Sequence, residues 1–366
     1  MVELMRKIMR IALIVSGIVA VLTLGATGAC TQTRDALDDN KDTNASSEPT
    51  WQLVLQDLPA GLLSASGTSA SDIYAVGTDP DDGLGPYVVH FDGQRWTRLN
   101  TAASGDLWWI STPMVGDSFF MAGAGGLILR YRPASGQFEQ YTTPGDETLF
   151  GIWGTDVRHV IAVGGDLDEP DTGGVVWLFD GTAWTAQDLS SVNPEGTPTL
   201  FKVWGRSANE VYAVGGRGVI LRFDGNSWTQ LASPTTRSLF TVHGNDTQVV
   251  ACGGAQSGVI IELMGDSFTD VTPPGTLQMN GTFVPPSGNS VTVGREGAVA
   301  FRSEAGWENH NSGLNLDPIL DYHAAWGDPD GGIWAVGGNI VGPPGSDGIV
   351  VYYGTQEVGT ELVQDP

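Results

Sequence analysis

A unit of roughly 43 residues recurs from residue 51 to residue 354, and that period limits the fold more than any other feature of the chain. Its clearest copy reads Leu200-Phe201-Lys202-Val203-Trp204-Gly205, Val211-Tyr212-Ala213-Val214-Gly215, Gly218-Val219-Ile220-Leu221-Arg222-Phe223-Asp224-Gly225 and Trp228-Thr229-Gln230-Leu231. Each copy holds four apolar runs of strand length, rich in β-branched and aromatic residues and ended by glycine or a polar cluster. Four such runs predict four antiparallel strands, a to d, which is one blade of a β-propeller. The glycine closing strand b falls at Gly77, Gly123, Gly164, Gly215, Gly253, Gly294 and Gly337, so the chain is expected to be all-β with seven blades.

An aromatic residue marks strand d at Trp96, Phe138, Trp184, Trp228, Phe268 and Trp307, and is expected to pack between neighbouring blades. The seventh unit runs through Trp326-Gly327, Ile333-Trp334-Ala335-Val336-Gly337 and Ile349-Val350-Val351-Tyr352-Tyr353 and then lacks a strand d. Trp51-Gln52-Leu53-Val54 matches Trp228-Thr229-Gln230-Leu231 in style, so Trp51 and Leu53 are predicted to sit in an N-terminal strand that closes the ring. The Phe-Asp-Gly triplets at Asp92-Gly93, Asp180-Gly181 and Asp224-Gly225 predict tight c–d hairpins with glycine at positive φ.

The order apolar-Ala-Val-Gly, Gly-x-Ile-Leu, aromatic-Asp-Gly and Trp resembles the repeats of sialidase-type BNR or Asp-box propellers and of photosystem II assembly-factor-like (YCF48-type) propellers. It departs from them at one point: Asp92 to Trp96, Asp180 to Trp184 and Asp224 to Trp228 are four residues apart, where those families have five, and the Ser or Thr of a full Asp-box is missing. The Gly-Gly pairs at 164–165, 215–216, 253–254 and 337–338 make kelch repeats a second kinship. The resemblance implies an architecture and leaves activity open, because propellers serve many functions.

Ahead of the repeats, residues 1–29 have the three parts of a secretory signal: Arg6, Lys7 and Arg10, an apolar run from Ile11 to Leu24, and small residues before Cys30. Thr27-Gly28-Ala29-Cys30 resembles the lipobox of bacterial lipoproteins, which implies a lipid anchor on Cys30. Thr27 departs from the usual Leu, Val or Ile, and ordinary signal cleavage nearby is the alternative reading. Residues 30–50 are polar and are expected to form a disordered tether, and residues 355–366 a disordered tail. The chain is thus expected in the cell envelope, at the outer membrane or the cell surface. Cys252, inside Val249-Val250-Ala251-Cys252-Gly253, reads as a small core residue.

The formal charge of −25 becomes −27 once a signal carrying a net +2 is removed, and such a surface disfavours nucleic acid and anionic lipid. The five histidines stand apart, with no pair at metal-ligand spacing, and His243 replaces the Trp of the Trp-Gly pairs, which points to a structural role. Sialidase-type catalysis needs three converging arginines, and they cannot be assembled from Arg130, Arg222, Arg158, Arg206 and Arg217, so no catalytic residues are predicted.

Strand alternation puts b–c turns and d-to-a crossovers on one face of the disc, where the longest insertions fall: 79–83, 166–171, 342–345, 190–197 and 309–318. That face is the predicted binding surface for a protein or glycan partner, with Asp79, Asp81, Asp82, Asp166, Asp168 and Asp171 as candidate residues. These carboxylates could hold Ca²⁺, although neither cluster has EF-hand spacing and solvated acidic loops are the plainer reading; no cofactor is otherwise expected. A monomeric, non-enzymatic scaffold is the leading expectation, and a secreted glycoside hydrolase or glycan-binding protein of sialidase-like type is the alternative.

Overall fold

The computed structural model describes residues 48–113, 118–317, 319–339 and 346–364. Cys30, the signal segment, the tether and the 342–345 turn lie outside the described residues.

Seven antiparallel sheets follow one another along the chain, each strand pairing with the next in sequence. Blade 3 is representative: strand a Thr148–Asp156, b His159–Gly165, c Gly174–Phe179 and d Trp184–Ala186. The seventh sheet has the order predicted for a closed ring. Its a, b and c strands (Asp321–Gly327, Ile333–Asn339, Ser346–Gly354) are completed by the N-terminal strand Thr50–Leu58. Trp51 pairs with Tyr353 there, as Trp228 pairs with Phe223 in blade 4. The closing strand is longer than the four residues expected, and the register shifts between Leu53 and Leu55. That irregularity buries both Val54 and Leu55 and leaves Leu53 at 36% exposure, so Leu53 contributes backbone pairing and Val54 the packing.

The tail was expected to be disordered, and here the structure differs. Leu362–Gln364 forms a strand that pairs in parallel with strand d of blade 1, Trp96–Leu99, making that sheet five-stranded. The Trp96 amide donates to the Glu361 carbonyl at 2.7 Å, the Trp96 indole donates to the Gly359 carbonyl at 3.2 Å, and Val358 packs on the cluster shared by blades 7 and 1. An open sheet edge offers unpaired donors and acceptors, and three residues of tail suffice to cover it. The ring is therefore fastened on both sides of its seam, by one chain terminus on each.

The recurring glycine of strand b has a steric cause. At Gly77, Gly123, Gly164, Gly215, Gly253, Gly294 and Gly337, a Cβ would collide with the carbonyl oxygen of the residue that begins, or just precedes, strand a of the same blade. Gly215 is extended (φ −169°), so its φ suits any residue and the close approach alone fixes glycine there. Gly215→Ala should cost about 1–3 kcal/mol by overpacking, and Gly216→Ala, where a methyl would meet only ordinary contacts, much less; paired urea melts check this.

Strand d aromatics pack between blades as expected. Trp96 is fully buried against Trp334 of blade 7, Trp184 lies edge-on to Phe120 of blade 2, and Phe268 meets Tyr212 of blade 4. The hairpin aspartates cap their own turns: Asp92, Asp180 and Asp224 each accept two backbone N–H bonds, with Gly93, Gly181 and Gly225 at φ of 90°, 93° and 96°. Cys252 is fully buried in a core cluster, and burial pushes its thiol pKa up.

Candidate functional site

Strand a of each blade lines the axis, and its side chains reach across to the next blade. Trp153 lies over Gly205, Trp204 over Gly244, Phe283 over Gly327 and Trp326 over Gly67, each ring occupying the space a Cβ would need. The Trp-Gly pairs in the sequence are thus two halves of different contacts, ring to one neighbour and bare backbone to the other. His243 keeps the pattern by other means, accepting a hydrogen bond at Nδ1 from the Val284 amide, 3.0 Å away, where the next blade has no glycine. These residues enclose an axial space of about 70 Å³.

Toward the b–c face the axis is capped by edge-to-face aromatics: Trp108 on Phe150 (5.0 Å), Phe150 on Phe201 (5.5 Å) and Phe201 on Phe240 (5.6 Å). Among them lies Lys202, the one lysine in the sequence from residue 48 onward. Its Nζ donates to the Phe150 carbonyl at 3.0 Å and sits 3.2 Å from the Trp109 ring centroid. Burial holds its pKa well below the usual lysine value. Toward that face the axis is closed by packed aromatic rings, with the Lys202 ammonium held among them.

The predicted loop carboxylates are placed on the expected face but are not brought together. Asp79, Asp81 and Asp82 stand in the b–c loop of blade 1, and Asp166, Asp168 and Asp171 in that of blade 3. Asp79 accepts from the amides of Asp81 (2.9 Å) and Gly105 (3.1 Å), tying its loop to the crossover into blade 2, where Asp106 accepts from the Asp79 amide at 2.9 Å. Burial, reinforced by the charges of Asp79 and Asp81, raises the Asp106 pKa. Asp82 caps Leu84 at 2.9 Å and lies 3.7 Å from the buried Arg98 guanidinium. Asp166 caps Asp168 at 2.8 Å, and Asp171 lies 3.8 Å from Arg217. Asp79, Asp82 and Asp166 thus shape and fasten their loops, and among the described residues no group of three or more His, Cys, Asp or Glu is arranged to hold a metal ion.

The same face carries a cavity of about 300 Å³ in blade 3. The b–c loop and the 190–197 crossover are knitted together around it, by Gly174 N–H to Thr197 O at 2.8 Å and Thr199 N–H to Pro170 O at 2.9 Å. Its wall combines Glu147, Gln187, Asp188 and Asn193 with Trp177, Val175 and Leu189. Neither Glu147 nor Thr197 stands out in the sequence, because each precedes a strand a as an ordinary crossover residue. Lys202 could have been singled out, as a solitary lysine inside an apolar strand.

On the opposite face, between blades 4 and 5, Arg206, Arg222, Glu210 and Tyr212 line a second recess of about 260 Å³. The Tyr212 hydroxyl donates to Glu210 at 2.9 Å, and burial, helped by that bond, pushes the Tyr212 pKa up to about 12. Arg206 pairs with Glu210 and donates to the Asn245 carbonyl at 3.0 Å.

These features define a seven-bladed β-propeller with a plugged axis and loops tied together on one face. No family model matches the chain. Among solved structures it is similar to YCF48 from Cyanidioschyzon merolae (TM-score 0.63, 12% identity, covering 84% of this chain and 100% of that one). It is similar to the WD40 propeller domain of Doa1 to the same degree (TM-score 0.62, 12% identity, 84% and 98%). At that identity the likeness concerns the fold. The immune protein Tsi7 of Pseudomonas aeruginosa is 34% identical over 94 residues, which span 25% of this chain and 30% of Tsi7.

Proposed function

We propose that the protein is a non-enzymatic binding scaffold of the cell envelope, anchored by lipid on Cys30, with repeats of BNR/Asp-box or kelch kinship. Its b–c and d–a face holds a protein or glycan partner. The observation that carries this reading is the cavity of blade 3, framed by two of the longest insertions and fixed by hydrogen bonds between them. Variable loops held on a rigid scaffold are the usual place for recognition. Cys30→Ser should abolish metabolic fatty-acid labelling and release the protein from membranes; unchanged retention would count against the anchor.

The opposite recess favours one other reading, a glycan-cleaving or glycan-binding propeller, because a Tyr-Glu pair beside Arg206 and Arg222 suits a carboxylated sugar. A panel of fluorogenic glycosides separates the two readings. No turnover is expected, and turnover that vanishes in Tyr212→Phe would end the scaffold account.

A further inference from the structure

We infer that the axial space binds a quaternary ammonium group, the methylated cation carried by choline, by related solutes and by some lipid headgroups. Blades 3 to 7 each place a ring at the same register of strand a, opposite the residue three places before the strand b glycine: Trp153, Trp204, His243, Phe283 and Trp326. The series is continuous where the rings meet, with Trp204 5.8 Å from His243 and His243 5.1 Å from Phe283. Trp109 of blade 2 joins them in lining the space. Trp109, Trp153, Trp204 and Phe283 are only partly buried, so ring surface stays within reach of a ligand.

The lining selects the cation by what it offers and what it lacks. Aromatic faces carry partial negative charge and attract a cation most strongly where water is excluded. A primary ammonium brings three N–H donors that each need an acceptor. No Asp, Glu, Asn or Gln side chain lines the space, and the Thr282 hydroxyl is already donated to the Val291 carbonyl at 3.0 Å. A quaternary ammonium brings no N–H, whereas a polyol would leave its hydroxyls as unmet as a primary amine's protons. A space of about 70 Å³ suits a compact head of a few heavy atoms. Lysine and arginine are absent from the lining, and burial disfavours the charged forms of His243 and of Lys202 beside Trp109, so no cation of the protein opposes the ligand. The net charge of −25 favours its approach. The site lies on the axis and not among the b–c loops, so it stands or falls apart from the partner-binding face.

The test is calorimetric titration of the full-length protein with choline and with neohexanol, the uncharged analogue that has carbon in place of nitrogen. Saturable binding of choline is expected, at least about tenfold tighter than that of neohexanol and retained in high salt, which screens the net charge of the chain. Trp204→Leu keeps an apolar wall and removes the ring, so it should weaken choline while leaving neohexanol little changed; Asp168→Asn, on the loop face, should bind as the wild type does. No saturable choline binding, equal binding of the two compounds, loss of choline binding in high salt, or wild-type choline binding by folded Trp204→Leu would each overturn the inference. Thermal melts identify a misfolded Trp204→Leu, in which case Phe283→Leu supplies the second reading, and the wild-type comparison of the two compounds stands without either variant. Glycerophosphocholine, titrated in parallel, names the source: binding equal to that of choline assigns a lipid headgroup, and exclusion assigns a free onium solute.

Discussion

Deletion of residues 51–54 is expected to lower the melting temperature sharply and to turn a single unfolding transition into a broad one. The segment pairs Trp51, Gln52 and Leu53 with Tyr353, Tyr352 and Val351, and the Trp51 ring stacks on Tyr322 at 6.2 Å and meets Tyr353 at a tilt, 5.1 Å away. Val54, only 5% exposed, belongs to the cluster that joins blade 7 to blade 1. Losing the buried Val54 side chain together with the partly buried Trp51 ring costs about 2–4 kcal/mol, against a total margin of about 5–15 kcal/mol. The deletion also opens strand c of blade 7 at the seam. The C-terminal strand still covers blade 1, so the expected product is a ring loosened on one side and prone to edge pairing. Removing residues 31–47, a polar stretch ahead of the closing strand, should leave the melting temperature unchanged. Equal loss from both deletions would contradict closure by this strand.

Acid should destabilise the propeller from about pH 6.5 downward, through two buried histidines. Burial lowers the pKa of His243 to about 4, and burial, with the Lys202 charge adding to it, does the same for His323. An unfolded histidine takes its proton near 6.5, so between pH 6.5 and about 4 the unfolded chain binds protons that the folded chain refuses. Stability therefore falls as pH drops through that window, approaching about 1.4 kcal/mol per pH unit for each histidine and about 3 kcal/mol each by pH 4. The Val284 amide donates to Nδ1 of His243, and protonation there would remove the acceptor. His243→Gln keeps an acceptor that does not titrate, so urea melts between pH 6.5 and 5 should show a slope smaller by one proton. An unchanged slope would mean that His243 does not supply it.

Much of this fold was readable because its determinants repeat. The strand b glycine, the strand d aromatic and the Asp-Gly hairpins recur in register, and each corresponds to one local contact made repeatedly around the ring. Closure by Trp51 was readable for the same reason, as a missing seventh copy found at the other end. What did not repeat could not be read. The strand at Leu362–Gln364 lies in a polar tail, and only the open edge of Trp96–Leu99 makes it a strand. The loop acids drew attention by clustering in sequence, yet the carboxylates of Asp79, Asp82 and Asp166 accept from amides of their own loops.

The central claim is that one face of the disc does the binding. Photo-cross-linking residues placed singly at Asp168 and Asn193 on the b–c and d–a face, and at Asn226 and Asp266 on the opposite face, test it in intact envelopes. One discrete adduct of the same mass is expected from both positions on the first face, with none from the second; adducts from Asn226 or Asp266 alone, or from all four positions alike, would contradict it.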